Sequence, residues 1–153
     1  MKDKMDSINL LILRELRDNS RRSIRELSVK LKMHPNTLMQ RIKKLERDGL
    51  IRKYVAEIDY SKLGYDVHAI VSIKVTKEAK SDWKILNELR AFKDIVSLYA
   101  ATGTYDLVAI IRTKSSAALT DLISELNKKQ YIAETNTLFL LYPFKHAYEF
   151  NPL

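Results

Sequence analysis

Residues 23–51 read SIRELSVKLKMHPNTLMQRIKKLERDGLI, and this stretch decides how the first third of the chain folds. Ser23 followed three residues later by Glu26 is a capping-box pattern, in which hydroxyl and carboxylate each satisfy an amide left open by the first helical turn. Ile24, Leu27 and Leu31 then face one way at helical spacing. A tight connection, Lys32-Met33-His34, leads to Pro35, whose fixed φ and missing amide suit the first position of a new helix. That helix runs to about Arg47 and stops at Gly49. Upstream, Met5, Ile8, Ile12, Leu13 and Leu16 form an apolar stripe behind the N-cap residue Asp6, with Asn9 projecting toward the same stripe as a polar group in need of a partner. Asp18-Asn19-Ser20 interrupts the pattern. Three short helices with a tight turn before the third read as a helix-turn-helix.

On the third helix Leu38, Ile42 and Leu45 cluster within about 60°, taking 100° per residue. Asn36, Gln40, Lys43 and Arg47 lie opposite, Thr37 and Lys44 lie beside them, and Arg41 and Met39 flank the apolar stripe. Amides and guanidinium groups make bidentate contacts to base edges, while Lys and Thr reach phosphates. Asn36, Gln40 and Arg41 are therefore the candidates for base readout, and Thr37, Lys43 and Lys44 those for phosphate. Arg41, nearest the apolar stripe, reads alternatively as a brace held by an internal ion pair. A plain solvated charged face is the competing reading of the whole surface.

Charge supports the DNA reading. The 153-residue chain has a formal net charge of +8, and residues 1–60 carry 15 Lys/Arg against 9 Asp/Glu, whereas residues 61–153 carry 12 against 10. Counterion release makes the basic part a plausible partner for a polyanion. Hydrophobic residues at 46% and charged ones at 30% suit a soluble globular protein. No apolar run approaches a membrane span, and the charged start MKDKMD does not read as a signal peptide. Cysteine is absent and His34, His68 and His146 are scattered, so no metal site and no cofactor is expected. The cytoplasm, in association with the nucleoid, is the expected location.

After Gly49, Leu50 to Ile58 alternates like a strand and reads as a wing or a connection. Tyr60 to Asp66, with Gly64, reads as a linker. Beyond it the chain repeats itself. Val71-Ser72-Ile73 matches Val108-Ala109-Ile110, Ile85-Leu86 matches Leu122-Ile123, Glu88-Leu89 matches Glu125-Leu126, and Ile95 matches Ile132, every pair 37 residues apart. Each copy reads strand, helix, strand: 67–77, 83–92 and 95–102, then 106–114, 116–129 and 131–142. Two such units predict a ferredoxin-like sandwich of four antiparallel strands with both helices on one face. Leu107 to Ile111 is apolar throughout and Leu138 to Tyr142 carries apolar residues on both faces, so a second copy of the chain is expected on the face the helices leave open. The aromatic tail, with Phe144, Tyr148 and Phe150, reads as packing on a neighbouring subunit or on its own domain.

No nucleophile elbow, Gly-rich phosphate loop or His–Asp pair at useful spacing occurs, which argues against an enzyme. The distinctive polar site is Thr102-Gly103-Thr104-Tyr105-Asp106, at the junction of the repeats. It reads either as an ordinary hairpin turn, in which Asp106 caps a local amide, or as a place where Thr groups and Asp106 hold a zwitterion's amino group.

Met5 to Leu13, Ser23 to Leu27 and Thr37 to Ile51 together resemble the N-terminal domain of the leucine-responsive regulatory protein (Lrp/AsnC) family, whose pattern T-x-x-x-R-x-x-x-L-E-x-x-G-x-I matches Thr37 to Ile51. The resemblance continues through Gly64, the Gly103–Asp106 turn and Glu134-Thr135-Asn136-Thr137, and so covers essentially the whole chain. It implies a homodimeric transcription regulator, in the family often assembled into tetramers of dimers, that binds a pseudopalindromic double-stranded operator and senses an amino acid or related metabolite. In the family the ligand lies between dimers near the Gly-x-x-Asp turn and the following Thr-x-Thr strand, which implies Gly103, Thr104, Tyr105, Asp106, Thr135 and Thr137 here. The chain departs from the pattern at Asn9, often Asp, at His34, usually a Ser or Thr cap, and at Gln130-Tyr131, usually Pro-Gly.

The expectation is thus an α+β chain: a three-helix, winged-helix-like helix-turn-helix domain over 1–52, a connecting strand and linker over 53–66, and a ferredoxin-like βαββαβ domain over 67–153. The alternative is a DNA-coating architectural protein without small-molecule sensing.

Overall fold

Helix α1 (Ser7–Asp18) begins where the Asp6 carboxylate accepts the Ile8 amide at 2.6 Å. The structure is a computed structural model that describes residues 6–80 and 87–144. Helix α2 (Ile24–Lys30) opens with the expected capping box: Ser23 Oγ accepts the Glu26 amide at 3.2 Å, and Glu26 accepts the Ser23 amide at 2.7 Å. The connection to helix α3 (Pro35–Arg47) is tight because Lys32 takes a left-handed conformation, φ 51°, and Met33 donates its amide to the Ser28 carbonyl at 2.9 Å. His34 is the N-cap of α3, its Nδ1 accepting the Asn36 amide at 3.3 Å. A ring nitrogen thus takes the acceptor role that a hydroxyl fills elsewhere. At the other end Gly49 has φ 75°, and the amides of Gly49 and Leu50 return to the carbonyls of Glu46 and Leu45 at 3.0 and 2.9 Å. This is a Schellman closure, which needs a residue free of a Cβ clash at that position.

Ile12, Leu16, Leu27, Leu38, Ile42 and Leu45 form the core of this three-helix unit. Burial of each large aliphatic side chain contributes roughly 1.5–3 kcal/mol. The three that belong to α3 therefore anchor it firmly by one face and leave the other free.

The chain divides into two compact units that change over between Glu57 and Ile58. In the second, strands β1 (Val67–Val75), β2 (Ile95–Ala100), β3 (Leu107–Thr113) and β4 (Ile132–Leu140) pair antiparallel in the order β2-β3-β1-β4. That is the ferredoxin-like order expected from the duplication, with the equivalent strands of the two repeats, β1 and β3, side by side at the centre. Ala69, Val71, Ile73 and Val75 of β1 and Leu107, Ala109 and Ile111 of β3 are buried together with Leu89 and with Leu119, Leu122 and Leu126 of the helix Ser116–Asn127. A single helical turn, α4 (Lys77–Lys80), follows β1, so the Ser116–Asn127 helix is α5.

Two expectations are corrected. No strand forms between Leu50 and Ile58. An alternating sequence becomes a strand only when another strand pairs with its amides and carbonyls, and no described segment does so here. The first-repeat helix was expected over 83–92; residues 81–86 lie outside the described part, and Asn87–Ala91 is a 3-10 helix. In the expected linker, Asp59 caps a further 3-10 turn, Tyr60–Leu63. The aromatic tail residues Tyr148 and Phe150 also lie outside the described residues, while Phe144 is exposed. Among the described residues no helix is long and apolar enough to cross a membrane.

The face of the sheet turned away from the helices carries cross-strand rows: Ser97, Ile110, Ile70 and Leu138; then Tyr99, Val108, Ser72 and Asn136. Ile70, Val108 and Ile110 on its central strands are half-buried, and Leu138 and Tyr99 on the edge strands β4 and β2 remain 57% and 58% exposed, so an apolar face stands uncovered on the chain alone. Its end is closed by Arg112, whose guanidinium sits 5.0 Å over the Tyr60 ring.

Candidate nucleic-acid interface and effector site

Helix α3 shows solvent the side that its core anchors do not use. Asn36, Thr37, Gln40, Lys43, Lys44 and Arg47 are all exposed. They offer two amides, a hydroxyl and three cations along one helix, which suits base edges and the phosphates beside them.

Arg41 differs from these six. It is half-buried, and its guanidinium donates to the Asp6 carboxylate and, at 3.0 Å, to Asn9 Oδ1. The polar residue that projected from the α1 stripe thus finds its partner on α3. The hydrogen bond from Arg41, followed by that from the Ile8 amide, holds the Asp6 carboxyl below its ordinary value. Of the two roles open to Arg41 in the sequence, the geometry is that of the brace.

A second clamp ties α1 to α2. Glu15 accepts from Lys30 Nζ at 2.7 Å and pairs with Arg22, and the Lys30 hydrogen bond is the main cause of its lowered pKa. Tyr54 folds back to donate its hydroxyl to Glu46 of α3 at 2.8 Å; burial first, and then Glu46, push the phenol up to about 12. Between α1 and the segment after Gly49 runs a cleft of about 740 Å³, lined by Leu13, Leu16, Arg17 and Ser20 and by residues 50–55.

In the second unit Gly103 turns the chain with φ 109°, and Thr102, Gly103 and Thr104 are exposed. Asp106 is drawn into its own domain. Its Oδ2 accepts the Val75 amide at 2.9 Å and its Oδ1 meets Lys80 Nζ at 2.8 Å. The Lys80 contact, then the Val75 amide, lowers its pKa. Tyr105 donates its hydroxyl to Glu134 Oε1 on β4 at 3.0 Å, and Thr135 donates to Asn127 Oδ1 of α5 at 2.9 Å. Thr137 sits half-buried opposite Val71, on the helix side of β4. The turn and β4 are thereby brought together through Tyr105 and Glu134. Glu134, Asn127 and Lys80 are polar groups at this site that sequence reasoning did not single out. Glu134 adjoins the Thr-x-Thr pair, but Lys80 and Asn127 carry no pattern that would announce them.

The chain matches two family models: winged helix-turn-helix DNA-binding over residues 5–52, and the Lrp/AsnC ligand binding domain over residues 68–150. It is 31% identical over 149 residues to the HTH-type transcriptional regulator FL11 of Pyrococcus horikoshii, covering 97% of each chain. Among solved structures, LrpC of Bacillus subtilis superimposes with a TM-score of 0.83 at 30% identity, covering 94% of this chain and 99% of that one. The NMB0573 regulator of Neisseria meningitidis in complex with L-Met superimposes with a TM-score of 0.86 at 23% identity over 94% of both chains, a likeness of fold.

Proposed function

Because the chain belongs to the Lrp/AsnC family of DNA-binding transcription regulators, we propose that α3 reads an operator through Asn36 and Gln40, with Thr37, Lys43 and Lys44 on the flanking phosphates and Arg41 holding the helix in place. The observation that carries this reading is the division of α3 into a buried apolar side, a braced flank and an exposed polar side. A dimer, paired in this reading through the open sheet face, would bring two such helices to a pseudopalindromic site whose half-sites lie about one DNA turn, roughly 34–36 Å, apart. Further assembly into tetramers of dimers belongs to the same reading.

The second unit takes an amino acid or related metabolite around Gly103, Thr104, Tyr105 and Asp106 and Thr135 and Thr137 of β4. The match to a ligand-binding domain model and the methionine held by the Neisseria regulator of the same fold support this. The test is selection of bound sequences from a random DNA pool by the full chain, run with and without pooled amino acids. The expected result is a symmetric consensus and a response to at least one amino acid. A consensus without symmetry would overturn the dimer reading, and indifference to every amino acid would replace sensing with the architectural role.

A further inference from the structure

The exposed side of α3 holds one residue that polar readout leaves unexplained. Of the large hydrophobic residues of α3, Leu38, Ile42 and Leu45 are buried, while Met39 is 39% exposed. The partly buried apolar side chains that pack against the core of this unit are Leu13, Ile24, Leu31, Met33 and Ile51, and Met39 stands outside that set. Met39 follows Asn36 by three residues and precedes Lys43 by four, so on the helix it lies in one stripe with both and next to Gln40. The opposite flank, which carries Arg41, is turned to Asp6 and Asn9 of α1. With that flank engaged, the surface available to a groove extends from Gln40 toward Met39.

Resting on the reading of α3 as the groove-reading helix, we infer that Met39 is a specificity-determining residue that packs against the 5-methyl group of a thymine. The thymine methyl is the one apolar group that base edges present in the major groove, and apolar side chains read it. Methionine suits the task, because its unbranched, polarisable chain adapts to a small apolar target. Its exposed neighbours on α3 are amides and cations, together with Thr37, whose small methyl lies on the Arg41 flank of the helix, away from Met39.

The test uses the full chain and the tightest duplex recovered from the random-pool selection, with each thymine replaced singly by uracil. Uracil lacks the methyl and keeps the hydrogen-bonding edge. The wild type is expected to lose about fourfold in affinity at one thymine per half-site, the equivalent of unburying one methyl-sized group. Met39→Ala is expected to bind the all-thymine duplex about fourfold more weakly and to be indifferent to uracil at that position only. Met39→Leu should keep the discrimination. Alanine at an exposed helical position is a strong helix former, and circular dichroism of the variant checks that the fold is kept. Uracil sensitivity that is absent in the wild type, or unchanged in Met39→Ala, would overturn the inference while Gln40→Ala still altered the consensus. If Gln40→Ala also left the consensus unchanged, the assignment of α3's outer side would fall with it.

Discussion

The Arg41 guanidinium of α3 donates to the Asp6 carboxylate that caps α1, joining residues 35 apart in the chain. One carboxylate therefore serves two helices: Oδ1 takes the Ile8 amide and Oδ2 takes Arg41. The angle at which α3 stands against α1 depends on this contact and on the apolar core beneath it. Arg41→Met keeps the length and apolar stem of the side chain and removes the donors. Binding to consensus and random duplexes is expected to weaken by a common factor, with the selected consensus unchanged. A change of preferred base at a single position would make Arg41 a base reader instead.

Gln40 and Lys44 separate the two kinds of contact on α3. Gln40→Ala should relax the preference at one base pair, a loss of about 1–3 kcal/mol of discrimination, with little effect on random DNA. Lys44→Ala should weaken all sequences alike and lower the slope of log affinity against log salt by about 1. Footprinting and salt titrations check both, and identical behaviour of the two variants would refute the division.

Acid should loosen the first unit. Asp6, Glu15 and Glu26 are each held below their ordinary values of 3.8 and 4.5 by Arg41, Lys30 and the Ser23 amide respectively. A carboxyl whose folded pKa is depressed adds stability that is present above its unfolded pKa and lost as pH falls through the folded one. Melting temperature should therefore hold from pH 7 to about 5 and decline below about 4.5. Asp6→Asn, which keeps a good N-cap, combined with Glu15→Gln should flatten that decline. An unchanged acid slope in the double variant would show that these clamps do not govern it.

The open sheet face offers the next expectation. Leu138 lies in the central row beside Ile70 and Ile110. Leu138→Asp sets two carboxylates into a face that two copies are proposed to share, where loss of a central apolar anchor costs about 2 kcal/mol or more. Sedimentation should show a shift toward monomer, and affinity for a two-half-site duplex should fall toward that for one half-site. Unaltered assembly would place the interface elsewhere.

Much of this was legible from local chemistry. The caps at Asp6 and Ser23, the stop at Gly49 and the three apolar anchors of α3 follow from spacing, because each depends on residues within a few positions of one another. The duplication predicted the order of the sheet for the same reason, since two like units tend to pair alike. Leu50 to Ile58 misled, because alternation signals a strand but does not supply the strand that pairs with it.

By itself the sequence determined the three helices of the first unit, the four strands of the second, which side of α3 is apolar and that two repeats build one sheet, all matters of periodicity and capping. Only the tertiary structure decided what the polar side chains do. It turned Arg41 onto Asp6 and Asn9 and set Asp106 between Lys80 and the Val75 amide. An ion pair or hydrogen bond depends on distances of about 3 Å between groups that folding brings together from distant positions. No local pattern along the chain encodes such a distance.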